Sequence, residues 1–405
     1  MSNLKLKEFI FKRSFFIIPC IFFFIIILKA YYSPNSYLGP DAGWFLIAAN
    51  NILEFKFLFF DELEIYGVEI SNYKNFGSFF SAWPPLYPIL ISIVSFLLNI
   101  DVFIASKILN FFCFLIIFFI LTKYIKSYFI IFFIFCNATF LEVYSYTLSE
   151  YLFITLILIL IHNLNIYFSS KKNLRLFYIF IVLNLLFLTK LIGLSAHLAI
   201  IFLSGYFFLI EKKIYFKLIF VCIIAIFISF LYLLLLKHLT GYLTGYPRGL
   251  RDNYDYQLFY LIKAISIEIN YFISSTQNNF NIDKNNWNQK YFIYIVTFIL
   301  QLLPLFFLNI KKIKFNFYLK NFFAKKINLI IIFFAIFYFF PIFILLFLTN
   351  VDPIYFRTMS PFSFLLFFLF FKNVKIISKF FFNYLIYLIS VSLSINLIIP
   401  FYIFS

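Results

Sequence analysis

The stretch LIIIFFAIFYFFPIFILLFL, Leu329–Leu348, decides the class of this protein. It carries no charge. As a helix rising about 1.5 Å per residue, it matches the roughly 30 Å hydrocarbon core of a bilayer. Similar apolar runs lie at Phe15–Leu28 and Phe380–Pro400. Across all 405 residues, 64% are hydrophobic and 12% charged. A soluble domain carries roughly 25% charged residues, so lipid must be the solvent for much of this surface. Backbone groups in lipid are satisfied inside helices, so the expected fold is all-α, a polytopic transmembrane bundle.

Phe, Ile, Tyr, Lys and Asn are abundant, as expected of an A/T-rich coding sequence. The net charge of +17 is therefore partly codon bias. It indicates a basic membrane protein, with no nucleic acid as partner. Cys20, Cys113, Cys136 and Cys222 all sit in apolar runs without CxxC spacing, which argues against a disulfide framework or a zinc site. Lys5, Lys7, Lys12 and Arg13 precede the first apolar run. With no small-x-small cleavage site after it, that run reads as an uncleaved signal anchor.

Lysine and arginine collect in cytoplasmic loops, and this bias sets the topology. With the N-terminus inside, about eleven spans follow: 14–30, 103–122, 127–141, 151–168, 175–189, 194–210, 214–236, 291–309, 328–349, 358–371 and 376–400. This arrangement places 21 of the 33 Lys and Arg inside, against two acids, Glu8 and Glu211. The first outer loop runs over 31–102, and a second lies at 237–290. The chain is expected to divide into a module over 1–210, with the first outer loop, and further transmembrane helices over 211–405, with the second. Residues 86–99 are short for a span, and a span there would invert the later loops. They are expected to form an amphipathic helix lying in or dipping into the outer interface. The sequence contains no P-loop, GxGxxG, HExxH or GxSxG motif, so ATP-driven transport by this chain alone is not expected.

Within the first outer loop, Gly39-Pro40-Asp41-Ala42-Gly43-Trp44 reads as a helix start. Proline suits the first helical position, and Asp41 falls in the first turn, beside the positive end of the dipole. Positions 41, 44, 45, 48, 49 and 52 share one face at helical spacing, which puts Asp41 on an apolar stripe expected to face the membrane. Downstream, Ala82-Trp83-Pro84-Pro85-Leu86-Tyr87-Pro88 fixes the entry of the interfacial helix rigidly. Its aromatics, Trp83 and Tyr87, suit the headgroup level.

An Asp shortly after the first span, followed by a PPLYP segment and an interfacial helix, resembles the GT-C membrane glycosyltransferases. The nearest likeness is to the group holding the protein O-mannosyltransferases and the lipid A aminoarabinose and galacturonic acid transferases. Tyr144-Ser145-Tyr146-Thr147-Leu148-Ser149-Glu150, Leu188-Thr189-Lys190-Leu191-Ile192-Gly193, and Arg357 with Pro361 are similar to further elements of that family. The likeness covers roughly 10–200 well and 340–375 weakly. Many relatives carry Asp-Glu where this chain has Asp41-Ala42.

The resemblance implies an inverting transfer from a polyprenyl-phosphate sugar to an acceptor on the periplasmic face of a bacterial inner membrane. The acceptor could be lipid A, another glycan or a protein. Asp41 matches the catalytic position and is expected to be the general base. The role of Glu150 is open between orienting the acceptor, aiding a metal and pairing with Lys190. Lys190 and Arg357 are candidate phosphate ligands. Arg248, in the polar aromatic loop 246–256, together with Trp83 and Tyr87, is a candidate for substrate binding. No cofactor is indicated, and no metal motif is visible around His162, His197 or His238. Two other readings compete: a transporter or flippase of lipid-linked sugars, and a ligase or polymerase of surface polysaccharide. Transporters show inverted repeats and broken helices, which the sequence does not display.

Overall fold

A computed structural model describes residues 16–28, 40–55, 83–212, 215–241, 243, 322–323, 325–348, 356–373 and 379–393. Among these residues the chain is all-helical. In chain order the helices are α1 (Phe16–Leu28), α2 (Pro40–Leu53), α3 (Leu86–Leu98), α4 (Val102–Tyr124), α5 (Tyr128–Phe135), α6 (Ala138–Ser145) and α7 (Glu150–Ser170). They continue with α8 (Asn173–Thr189), a 3-10 turn (Leu191–Gly193), α9 (Leu194–Glu211), α10 (Phe216–Thr240), α11 (Lys326–Leu348), α12 (Phe356–Asn373) and α13 (Lys379–Leu393). Among the described residues, five helices are long and apolar enough to cross a membrane: α4, α7, α9 with its 3-10 lead-in, α10 and α11. The chain is therefore a helical membrane protein. The expected span at 291–309, the loop at 237–290 beyond its first residues, and half of the loop at 31–102, residues 31–39 and 56–82, lie outside the described residues.

Local chemistry sets the helix ends. The Asp101 carboxylate accepts from the Phe103 N–H at 2.7 Å and starts α4. Ser127 caps α5 in the same way through the Ile130 N–H. Gly241, at φ +80°, ends α10 in a left-handed conformation that costs glycine nothing.

Contacts between helix ends fix the chain directions. At one end, Lys123 meets His162 (3.2 Å), Arg175 meets Asn163 (2.9 Å), Lys326 meets Glu211 (2.9 Å) and Lys372 meets Asn328 (2.6 Å). At the other, Lys107 meets Ser145, Glu150 meets Lys190, and the Tyr338 hydroxyl donates to Thr358 O. It follows that α4, α7, α9 and α12 run one way and α8 and α11 the other. The first group of contacts defines a basic end; the second defines the site end.

Two expectations need correction. The segment 127–141 is not one continuous span. It is α5 and α6, eight residues each, joined at Cys136–Asn137. Asparagine favours the start of a helix over its interior, and Asn137 O accepts from the Leu141 N–H at 3.0 Å to begin α6. The pair still runs from the basic end to the site end, but as two pieces. Second, the apolar stripe of α2 faces protein, not membrane. Phe45, Ala48 and Ala49 are buried, and Phe45 packs edge-on against Tyr87 (5.2 Å) and beside Trp83 (5.8 Å). Two helices shield each other here because α2 and α3 pack side by side.

Lipid tails are as apolar as leucine, so close packing and hydrogen bonds hold such a bundle. Phe22, Phe114, Phe135 and Tyr144 form one buried aromatic cluster, with Phe22 stacked on Phe114 at 4.7 Å. Small Ala225 and Ser229 bring α10 close to its neighbours, while its Phe220, Phe227 and Leu231 point outward, as a lipid-facing helix requires. The helix over 86–98 stands where an amphipathic one was expected. Tyr87, Ile91, Ser92 and Ser95 are buried, whereas Ile93, Phe96 and Leu97 are exposed.

Candidate functional site

The site end is built on three polar residues in one turn of an otherwise apolar helix: Ser106, Lys107 and Asn110 of α4. Lys107 Nζ donates to Ser145 O at 2.6 Å and to Thr147 Oγ1 at 3.1 Å. The Ser106 and Thr147 hydroxyls lie 2.9 Å apart. Asn110 Nδ2 donates to Tyr144 O (3.0 Å) and Tyr146 O (2.9 Å), while its Oδ1 accepts from the Tyr87 hydroxyl at 3.2 Å. One turn of α4 thus holds the whole connection from α6 to α7 and ties it to the first turn of α3.

Tyr87 is fully buried. Burial, with Cys113 and Glu150 in electrostatic reach, pushes its phenol well above the usual tyrosine range. It therefore stays a hydrogen-bond donor to Asn110.

The same connection delivers Glu150 to the first turn of α7, where a carboxylate is favoured by the helix dipole. Lys190 Nζ donates to Glu150 Oε1 at 2.7 Å; the glutamate side chain is 2% exposed and the lysine 17%. Lys190 follows α8 in an extended conformation, and the 3-10 turn then folds back on that helix. Gly193 permits the fold-back. A Cβ there would lie 2.5 Å from the backbone C and O of Leu186. The Gly193 N–H donates to Lys190 O at 2.8 Å. His197 Nδ1 donates to Gly193 O at 3.3 Å, with the imidazole wholly buried.

The residues singled out in the sequence are distributed unevenly. Trp83 and Tyr87 stand together at the start of α3, against α2. Glu150 and Lys190, one of the pairings left open by the sequence, form an ion pair. Asp41 lies in the first turn of α2, and Arg357 is the second residue of α12; the side chains of both lie outside the described residues, as does Arg248 altogether. Among the described residues, no three His, Cys, Asp or Glu side chains are grouped closely enough to hold a metal. Sequence reasoning missed Ser106, Lys107, Asn110 and Thr147. A usable signal was present: a lysine five residues into an apolar span is expensive in lipid, by roughly 2.5–3.5 kcal/mol at mid-bilayer, and marks a functional candidate.

Lys107 and Lys190 thus bring two ammonium groups to the region where Glu150 supplies one carboxylate. Such a region can bind an anion and present a hydrogen-bond acceptor beside it. No protein-family model matches the chain, and no curated protein and no solved structure is significantly similar to it.

Proposed function

We propose that the protein is an integral membrane glycosyltransferase that moves a sugar from a polyprenyl-phosphate donor to an acceptor hydroxyl or amine. One observation carries the reading. The segments expected to form the site meet at a single end of the bundle: α2 with the Trp83–Tyr87 turn, the Tyr144–Glu150 connection, and Lys190.

In this reading Asp41 takes the acceptor proton as the acceptor atom attacks the anomeric carbon. The bond from that carbon to the phosphate oxygen breaks, with inversion, and the electron pair leaves on the polyprenyl phosphate. Lys107 and Lys190 offset the phosphate charge, with Arg357 as a further ligand. Glu150 holds Lys190 in place and accepts from the acceptor. Trp83 and Arg248 contact substrate, whereas Tyr87, expected from the sequence to do so, is buried against α2 and bonded to Asn110 and so positions the turn. The basic end faces the cytoplasm, as the positive-inside bias requires, and the site end faces the periplasm, with the N-terminus cytoplasmic. The membrane is then the bacterial inner membrane.

The test is Asp41→Asn, assayed in membranes containing a lipid-linked sugar pool. The expected result is a loss of transfer of at least about a hundredfold at unchanged protein level. Wild-type transfer by that variant would remove the catalytic assignment.

A further inference from the structure

At the basic end, cations of α4 and α8 lean on neutral acceptors of α7. Lys123, in the last turn of α4, donates to His162 Nε2 at 3.2 Å, and His162 Nδ1 lies 2.8 Å from the Tyr124 hydroxyl. An ammonium only donates, so Nε2 accepts, and the ring proton sits on Nδ1 facing Tyr124. Arg175, in the first turn of α8, donates to Asn163 Oδ1 at 2.9 Å and lies over the Tyr178 ring at 5.8 Å. His162 is within electrostatic reach of both Lys123 and Arg175. Among the described residues, neither cation makes an ion pair. Between residues 102 and 211 the sequence has three acids, Glu142, Glu150 and Glu211, and Glu211, at this end on α9, is paired with Lys326 at 2.9 Å. Glu150 is at the opposite end with Lys190, and Glu142 lies on α6 one turn before Ser145, the residue that Lys107 holds there.

The surroundings are apolar and open. Ile116 and Phe119 lead along the exposed face of α4 to Lys123 at helical spacing, and Phe177 and Tyr178 are exposed on α8 beside Arg175. Between these helices, Ile159 and Ile166 flank His162 on the half-buried stripe of α7. Toward the site end the gap closes, because α3 touches both α4 and α8. The feature is thus a groove with a cationic mouth at the end of a membrane-length helix and apolar walls along its length.

We propose that this groove seats one anionic phospholipid, its phosphodiester bridging Lys123 and Arg175 above His162 and its acyl chains lying along α4 and α8. The mouth stands at headgroup height, because Lys123 is the penultimate residue of α4, whose 23 residues are enough to cross the hydrocarbon core. An uncompensated cation pair attracts an anion, and the guanidinium fork matches phosphate oxygens. A free inorganic phosphate would leave the apolar walls uncovered. The site is independent of sugar transfer and of the orientation of the chain.

The experiment is native mass spectrometry of the full chain, released from micelles doped with phosphatidylglycerol or with phosphatidylcholine. Wild type should retain one phosphatidylglycerol preferentially. Lys123→Gln with Arg175→Gln should lower that retention by about fivefold per cation, while Lys326→Gln, in the Glu211 pair between α9 and α11, leaves it unchanged. Equal retention of the two lipids by wild type would overturn the proposal, and so would undiminished phosphatidylglycerol retention by the folded double variant. Should the double variant fail to fold, the wild-type comparison and the Lys123→Gln single variant decide. Inorganic phosphate added in millimolar excess should not displace the lipid; displacement would mean that the site is a bare phosphate site, which also overturns the lipid assignment.

Discussion

Lys190 and Glu150 stand 2.7 Å apart, 40 residues distant in sequence, and their contact locks the extended residue after α8 onto the first turn of α7. The pair is largely removed from solvent. Replacing Glu150 or Lys190 alone by Ala leaves a buried charge without its partner, at a cost of about 3–5 kcal/mol. Replacing both, as Glu150→Gln with Lys190→Met, should recover most of that loss. Equilibrium unfolding in mixed micelles measures the cycle. Additive losses in the double variant would mean that the contact is not coupled.

Lys107 clamps Ser145 O and Thr147 Oγ1. Lys107→Met removes a donor from two buried acceptors and should cost about 1–3 kcal/mol. Hydrogen exchange should rise at residues 145–150 and stay unchanged at the basic end. Under the proposed function, transfer falls with it. Unaltered exchange in that segment would mean that another group holds it.

Asn110 makes three hydrogen bonds and Tyr87 one of them. Tyr87→Phe should therefore cost about 0.5–1.5 kcal/mol, and Asn110→Leu more. The two losses should couple in a double-mutant cycle, because both act on the same bond. Independent losses would argue that α3 and α4 do not communicate through it.

Gly193→Ala forces a methyl group to within 2.5 Å of the Leu186 backbone, which cannot give as a side chain would. The expected loss is at the upper end of about 1–3 kcal/mol, with Lys190 displaced. By contrast, Gly205→Ala meets nothing within 4 Å and should be neutral. Thermal melts of the two variants in one detergent provide the comparison.

Compartment reporters fused after Tyr124 and Lys172 should read the same side, and one fused after Thr147 the opposite side. These positions sit at the basic end and the site end respectively. The first pair is expected to be cytoplasmic. Agreement of all three would break the arrangement of α4 to α7.

Much of the architecture was legible in the chain. Uninterrupted apolar length marked α4, α7, α9, α10 and α11 to within a few residues, because a span needs length above all. The Pro40 and Pro84–Pro85 signals located the starts of α2 and α3, since proline suits a helix entry. Burial was harder to read. In lipid, both faces of a helix are apolar, so the stripe through Phe45 and Ala48 could not announce that its neighbour was α3. The break at Asn137 was masked by aromatic residues on both sides. At the candidate site, Glu150 and Lys190 stood out as lone charges beside apolar runs. Lys107, equally alone, was passed over because it sat inside a span and outside any motif.

The joint at Cys136–Asn137 bears on biosynthesis. Each half of the α5–α6 segment is about 12 Å long, far less than a translocation channel needs to release a helix sideways into the bilayer. Neither half can insert by itself. The two halves must enter together, and their packing is complete only when α12, made much later, joins α4 and α7 against them.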